Sequence, residues 1–513
     1  MVEADHNPNI EMITNADIVS VDGFIGNFKV TVRKRPRHVI AKNCTGCGEC
    51  AEVCPVEYPN AWEENLGTRK AISLPFPQAV PLVYNLDKEH CIECFKCVEV
   101  CGDRSAIDLE QEPEEIELEV GTITVATGFD VYEPSDDPKW GYGRFPNVVT
   151  GKEAEWLTNA SGPTGGQFIR ASDGKLPRSV TFIQCVGSRD VKKHEYCTGF
   201  CCMYAIKDAI LIKEHEPDTE VTILYMDIRT TNKGYEEFYR RARELGVTFI
   251  RGKPHRIVED KDHNLIIEVD ATVLGETIEI ESDMVVLSTA GVPKHGADEL
   301  SRTLHVTRDA AGFFMEAHAK LRPLDAPVDG IFFAGACQGL KDISYSVSQG
   351  SGAAGRAATI LSKDMVDIEP IIAKVDPDKC LHTKANCTVC QKVCPYNAPS
   401  APEKEPMVIN PAMCHGCGTC AADCPTDAID QQHFSDEQIF AQIRAALKEN
   451  PEEKIVGLLC NWCCYAGADL AGTSRFAYPT RIRVIRTMCG GRVDKDFILE
   501  ALRLGAAAIF VGA

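Results

Sequence analysis

The sequence predicts an α/β protein that carries two cysteine-rich α+β modules and ends in a small α/β module with four more cysteines. Three observations predict it. Apolar strands alternate with helical stretches from Glu117 to about Leu361. Two pairs of cysteine quadruplets bracket that stretch, as an internal repeat. A capped amphipathic helix then leads into a last group, Cys460, Cys463, Cys464 and Cys489.

Taken in order, residues 1 to about 40 read as strands, with alternation from Gly26 to Val32, and the first array occupies 41–110. Pro75, Pro77 and Pro81 make the segment between its quadruplets an extended loop. The central domain, 111–365, has strands at Ile123–Ala126, Val180–Ile183, Val221–Tyr225, Met284–Leu287 and Ile331–Ala334, with a helix at Tyr235–Leu245. The second array spans 366–432, a linker helix 433–453, and the last module 454–513. Ser435 with Gln438 forms a capping box, and Ile439, Phe440, Ile443 and Leu447 share one face of that helix.

A chain of 513 residues is long enough for three or four domains. Its net charge of −21 opposes nucleic acid and anionic membranes as partners. No apolar run of about 18 residues and no leader is found, which predicts no membrane span and a cytoplasmic setting. The 25 cysteines cluster at two- and three-residue gaps in a long, leaderless chain. That pattern points to metal binding under reducing conditions rather than to a disulfide framework. Structural zinc is the rival occupant of each cluster.

Cys44, Cys47, Cys50 and Cys54, followed by Pro55, are spaced C-x2-C-x2-C-x3-C, and Cys91, Cys94, Cys97 and Cys101 repeat the rhythm. In two-cluster ferredoxins three close thiolates hold one [4Fe-4S] cubane and the fourth crosses to the other. One cluster is therefore expected on Cys44, Cys47, Cys50 and Cys101, the other on Cys91, Cys94, Cys97 and Cys54. Downstream, Cys414, Cys417, Cys420 and Cys424 keep the spacing, while Cys380, Cys387, Cys390 and Cys394 have a widened first gap with a loop around Thr383 and Lys384. The crossing rule assigns Cys380, Cys387, Cys390 and Cys424 to one cubane, and Cys414, Cys417, Cys420 and Cys394 to the other.

In the central domain the turn after Val180–Ile183 reads Gln-Cys-Val-Gly-Ser-Arg, not a phosphate-binding glycine loop. Cys185 at the strand end and Cys197, Cys201 and Cys202, expected on one helical face, suggest a fifth cubane there. Buried structural cysteines are the alternative, and Cys337 reads as a plain core residue. Gly350, Gly352 and Gly355 match G-x-G-x-x-G only formally and are expected to serve helix packing.

Ile123-Thr-Val-Ala-Thr-Gly-Phe resembles the strand end that passes close to FAD in two-domain flavoprotein reductases. Ile331-Phe-Phe-Ala-Gly-Ala, with Asp342 and a small-residue helix from Ser346, resembles their second FAD motif. The resemblance implies a thioredoxin-reductase-like flavoprotein domain with FAD contacts at Thr127, Gly128, Gly335, Ala336, Asp342, Ile343 and Ser346. The βαβ unit that normally binds the ADP part of FAD is missing ahead of residue 1. A separate polypeptide, or a longer chain, is expected to supply it.

Three stretches resemble the A-type subunit of heterodisulfide reductase from methanogens and relatives: Lys70-Ala-Ile-Ser-Leu-Pro-Phe-Pro-Gln-Ala-Val-Pro, Phe182-Ile-Gln-Cys-Val-Gly-Ser-Arg-Asp and Cys201-Cys-Met-Tyr-Ala. Leu459-Cys-Asn-Trp-Cys, Ala466-Gly-Ala-Asp and Met488-Cys-Gly-Gly-Arg-Val-Asp resemble the delta subunit of methyl-viologen-reducing hydrogenase. The resemblance implies an oxidoreductase subunit with FAD, five [4Fe-4S] clusters and one [2Fe-2S] cluster. Cys460, Cys463 and Cys489 match ligands of the two-iron cluster, with Cys464 as the candidate fourth. Cys185, Cys197, Cys201 and Cys202 hold the cubane beside the flavin, and Lys207 lies near its reactive N5 edge. The implied function is electron bifurcation or confurcation between a hydrogenase or formate or deazaflavin dehydrogenase, ferredoxin, and a CoM-S-S-CoB disulfide reductase in methanogenesis. The implied partners are B- and C-type subunits in a homodimeric complex. Two other readings are a quinone-linked relative from sulfate respiration and a flavin-free electron wire.

Overall fold

The computed structural model describes residues 2–368 and 370–513. The chain opens as a hairpin of Ala16–Phe24 and Asn27–Lys34, extended antiparallel by Glu114–Val120. Gly26 is the turn residue, with φ 84°, so the alternation begins one residue later than expected, at Asn27. Phe28, Val30 and Val32 point inward while Lys29 and Arg33 stay exposed, the period-two pattern of a half-buried strand. The whole first array lies between the second and third strands of this small sheet.

The central sheet runs in the order Val148–Thr150, Met284–Thr289, Ser179–Val186, Glu220–Tyr225, Thr248–Glu259, all parallel, and closes with the antiparallel strands Leu265–Ala271 and Glu276–Ser282. Ser179–Val186 and Met284–Thr289 are buried on both faces, which is why they read as unbroken apolar runs rather than alternating ones. The helices Cys201–His215 and Tyr235–Glu244 cover one face, with Ala205, Ile206, Ala209 and Ile210 packed against Phe182, Ile223 and Val286. Outside this sheet, Ile123–Val125 pairs in parallel with Ile331–Phe333. The helix Ile343–Leu361 follows, capped by Asp342, whose Oδ1 accepts the Tyr345 N–H at 2.9 Å. Gly350, Gly352 and Gly355 sit inside this helix. Only at Gly352 would a Cβ strike a neighbour, Leu324, so the packing role expected of all three falls to one.

The second array is tied by the pairing of Ala373–Val375 with Ile429–Gln431. The widened gap after Cys380 is not a loop but a helical turn, His382–Ala385. Beyond it, the capping box of Ser435 and Gln438 is formed, and it starts the helix Asp436–Ala446. Its Ile439 and Ile443 are buried with Phe497 against a parallel sheet of Ile482–Thr487, Ile455–Cys460 and Ala508–Gly512. Among the described residues no helix is long and apolar enough to cross a membrane.

Candidate functional site

Short helical turns build the array sites. In the first module Glu49–Glu52 and Lys96–Cys101 each carry the third cysteine of a quadruplet. Gly48 before the first turn has φ 91°, and Tyr84 lies close enough to meet a Cβ there. One hollow of about 340 Å3, its open mouth included, is lined by Cys44, Cys47, Cys50 and Cys101. Its neighbour, about 360 Å3, is lined by Cys54, Cys91, Cys94 and Cys97. The second array repeats the arrangement. Cys394, Cys414, Cys417 and Cys420 surround one such hollow of about 320 Å3, and Cys380, Cys387, Cys390 and Cys424 surround the other. Each cavity thus gathers three thiols from one quadruplet and one from its partner, and the helical turn after Cys380 leaves that thiol at its cavity.

These sites are apolar wells crowded with thiols. Burial, then the Cys44 thiol, pushes Cys50 up to about 12. Burial and the thiols of Cys417, Cys414 and Cys394 do the same to Cys420, and Cys390 rises to about 11 from burial beside Cys380 and Cys387. Four thiolates cannot share such a well unless cations neutralise them, so the donor set fits a thiolate-bound metal cluster. No three His, Cys, Asp or Glu side chains among the described residues close on a single-ion position. The thiols line a volume, as the ligands of a cubane do.

The central cysteines form a further group. Cys185 is the penultimate residue of the strand Ser179–Val186, with φ 63°, a left-handed conformation that costs a non-glycine residue about 1–2 kcal/mol. Burial and the Cys202 thiol push Cys185 up to about 11, opposed by Arg189. The helix begins at Cys201, so Cys197 is not on it, contrary to the spacing argument. It stands in the preceding loop, where the Gly199 N–H donates to its Sγ at 3.4 Å. It still faces the other three, since Cys201 feels Cys202, Cys185 and Cys197. Arg189 forms a fork with Asp227, at 2.7 and 2.9 Å, and Arg229 shares the same carboxylate. Cys337 is elsewhere, its thiol donating to the Val125 carbonyl at 3.2 Å within the apolar core.

Of the predicted FAD contacts, Asp342 and Ile343 line a large cleft, about 1910 Å3 including its open mouth, together with Phe129, Phe200, Tyr204 and Lys207, whereas Thr127, Gly128, Gly335, Ala336 and Ser346 are not among its lining residues. Thr127 and Gly128 follow Ile123–Val125, and Gly335 and Ala336 follow its parallel partner Ile331–Phe333. All four therefore stand at the carboxyl ends of adjacent parallel strands, where open α/β sheets bind ligands. Gly128 and Gly335 both have φ 75°, and a Cβ on Gly335 would touch Ser346. These glycines fit a flat ligand lying close to backbone. Asp342 is engaged by its own chain, its Oδ2 accepting from Tyr235 Oη at 2.8 Å and from Asn232. Lys207 lines the cleft and is ion-paired to Glu155 and Asp208.

In the last module Cys460 ends Ile455–Cys460, and Cys489 lies two residues past Ile482–Thr487, whose Thr487 is in register with Cys460. Cys463 and Cys464 follow in one turn, and the Cys463 thiol is raised by burial and by the neighbouring Cys460 thiol. The four cysteines share the carboxyl edge of one small parallel sheet.

Three residues of this machinery are not singled out by the sequence reading, although Arg492 lies within the stretch Met488-Cys-Gly-Gly-Arg-Val-Asp. Arg492 is wholly buried, its Nη2 donating to the Phe434 carbonyl at 3.2 Å and to Asp436, with its stem against Gly418 of the second array. Tyr396 stacks on His415 at 4.1 Å, and Cys417, Cys489 and Cys394 all act on its hydroxyl. The last module is thus locked to the second array with one aromatic ring between their cysteines. Asp208 is the third. An acidic residue amid Ala205, Ile206, Ala209 and Ile210 is the one signal the sequence offers.

Family profiles described as a 4Fe-4S binding domain and a 4Fe-4S dicluster domain match residues 38–57 and 385–429. A profile for the methyl-viologen-reducing hydrogenase delta subunit matches 455–513. Among solved structures, a thioredoxin reductase of T. acidophilum covers 57% of this chain and 86% of its own at 14% identity and a TM-score of 0.32. The A-type subunit of the H(2):CoB-CoM heterodisulfide,ferredoxin reductase of Methanothermobacter marburgensis is 52% identical over 451 residues, 88% of this chain and 68% of that one. The A-type subunit of the ferredoxin:CoB-CoM heterodisulfide reductase of Methanosarcina mazei is 42% identical over 514 residues, 100% of this chain and 64% of that one. Its counterpart in the H(2)/formate:CoB-CoM heterodisulfide,ferredoxin reductase of Methanococcus maripaludis is 48% identical over 454 residues, 87% of this chain and 68% of that one. With ferredoxin-type modules at both arrays and this identity across most of its length, the chain belongs to the family of A-type heterodisulfide reductase subunits, which are iron–sulfur oxidoreductase subunits.

Proposed function

We propose that this chain is the subunit that joins two-electron flavin chemistry to one-electron iron–sulfur chemistry in a heterodisulfide-reductase-type complex. Electrons arrive from a hydrogenase or formate dehydrogenase at Cys460, Cys463, Cys464 and Cys489, the ligands of a [2Fe-2S] cluster. They cross to the second array past Tyr396. The observation that carries the reading is the convergence of Cys185 from its strand and Cys197 from the preceding loop with Cys201 and Cys202 at the start of the helix that bears Lys207 at the cleft.

FAD, when bound, supplies a group that takes electrons in pairs and releases them singly at different potentials, which is what bifurcation or confurcation needs. Thr127, Gly128, Gly335, Ala336 and Ser346 would hold it along the parallel strand ends, and the amino terminus of Ile343–Leu361 would favour negative charge on its ring. Lys207 adds a fixed positive charge on the cleft wall. Burial pulls that ammonium down, but Asp208 and Glu155 more than offset it, so it stays charged. The B- and C-type subunits take electrons onward to the disulfide, and the first array serves ferredoxin. The relatives are named for H2, formate, ferredoxin and the CoB-CoM heterodisulfide.

This arrangement has no place for a nicotinamide nucleotide. Pyrophosphate binding at such a turn needs glycines and free N–H groups at a helix start. Here the turn carries Cys185, the helix starts with Cys201, and Arg189 and Arg229 are both committed to Asp227. In the assembled complex, freed of other dehydrogenases, NADH and NADPH are expected to leave the flavin oxidised, while reduced ferredoxin bleaches it. Rapid bleaching of the flavin band by NADPH would overturn the assignment of the four cysteines.

A further inference from the structure

Iron–sulfur clusters deliver electrons without protons, so a flavin reduced only through them must draw its proton from the protein. This inference rests on the flavin reading above and asks where that proton comes from.

Behind the cleft wall, Asp208 is completely buried, and neither carboxyl oxygen has a hydrogen-bond partner. A buried carboxylate without donors is costly, and the neutral acid is the cheaper form. The charged neighbour is Lys207, with Nζ 3.0 Å from Asp208 Oδ1. Lys207 also pairs with Glu155, and both line the cleft. Glu155 and Lys207 are about two-fifths exposed, whereas Asp208 is sealed. The ionisable groups facing Asp208 are Glu155 from the helix Gly151–Thr158 and, from its own helix, Lys207 and Tyr204. Burial and then Glu155 push the Asp208 carboxyl up to about 8, with Lys207 pulling the other way.

We propose that Glu155, Lys207 and Asp208 form a proton relay serving a ligand in the cleft. When the ring takes two electrons from reduced clusters, a Lys207 N–H breaks and the proton goes to a basic ring nitrogen. The Asp208 O–H then breaks to restore the Lys207 ammonium. A proton from water, received at Glu155, restores Asp208 by way of Lys207. Each two-electron reduction consumes one proton from solvent, and the relay ends as it began. Lys207 is the catalytic residue of the three, because it is the one that hands the proton to the ligand. Asp208 is a buried reserve acting through it.

The test uses the assembled complex, reduced through its clusters by ferredoxin, with wild type compared to Asp208→Asn and Glu155→Gln. All three should bind the same amount of flavin. In wild type, flavin reduction should slow as pH rises through about 8, because the reserve proton is lost there. Over multiple turnovers Asp208→Asn should be slower than wild type below that pH and should lack the step at about 8, because Lys207 is no longer reloaded from a buried reserve. Glu155→Gln should slow multiple turnovers more than the first. If Asp208→Asn does not fold, the redox infrared difference spectrum of wild type decides. A protonated-carboxyl signal that shifts on flavin reduction supports the relay, and its absence overturns it. Equal rates and pH profiles in wild type and Asp208→Asn would overturn the relay while leaving the flavin reading intact. A complex that binds no flavin would overturn both.

Discussion

Cys201→Ala will strand the flavin. In the assembled complex the reduction of flavin by ferredoxin should fall by about 100-fold or more, beyond what the loss of a mere supporting contact costs a metal site. The reason is the position of Cys201. It is buried at the start of the helix Cys201–His215, beside the Cys202 thiol, with Cys185 and Cys197 nearby. Within this pair the Cys201 thiol is pushed up and the Cys202 thiol down, and iron would take both as thiolates. Without Cys201 the remaining three cannot complete a cubane. Cys337→Ala is the control, since that thiol only donates to carbonyls in the core and its loss should leave flavin reduction unchanged. Stopped-flow absorbance at the flavin band measures both. A wild-type rate in Cys201→Ala would refute a cluster at this site.

The second large effect follows from the crossed cavities of the arrays. Cys54→Ser should abolish the cluster of Cys91, Cys94 and Cys97, far away in sequence, and spare the one beside it. Cys54 lines the cavity of that distant set, while Cys101 lines the cavity of Cys44, Cys47 and Cys50. Cys101→Ser should therefore produce the mirror-image defect. Low-temperature magnetic resonance, resolving each reduced cluster, separates the two. Damage by Cys54→Ser confined to the Cys44 set would refute the assignment.

Much of this is legible in the sequence because cluster sites are local. A rhythm of two- and three-residue gaps dictates three thiols of each cavity, and the proline after Cys54 sends the fourth away. The same locality explains the misreadings. Four residues from Cys197 to Cys201 suggest one helical face, but Gly199, with φ 84°, breaks the chain between them. The gap after Cys380 reads as a loop because nothing in its sequence shows that Ala385 and Asn386 return their N–H groups to Leu381 and His382. The contacts that join modules are not legible at all. Arg492 reaches Phe434 and Gly418 across a domain boundary, and even within the central domain Glu155 and Lys207 meet from helices far apart in sequence. Such pairs have no spacing to read. The wholly buried Arg492 guanidinium, with Nε and Nη1 unpartnered, breaks the rule that charge stays outside, and only packing reveals it.

Six groups of cysteines in this one chain are expected to hold iron. Iron and acid-labile sulfide in the anaerobically purified full chain test it most directly. Five cubanes and one two-iron cluster predict about 22 iron atoms per chain, with matching sulfide. Zinc in place of iron at these sites would contradict it.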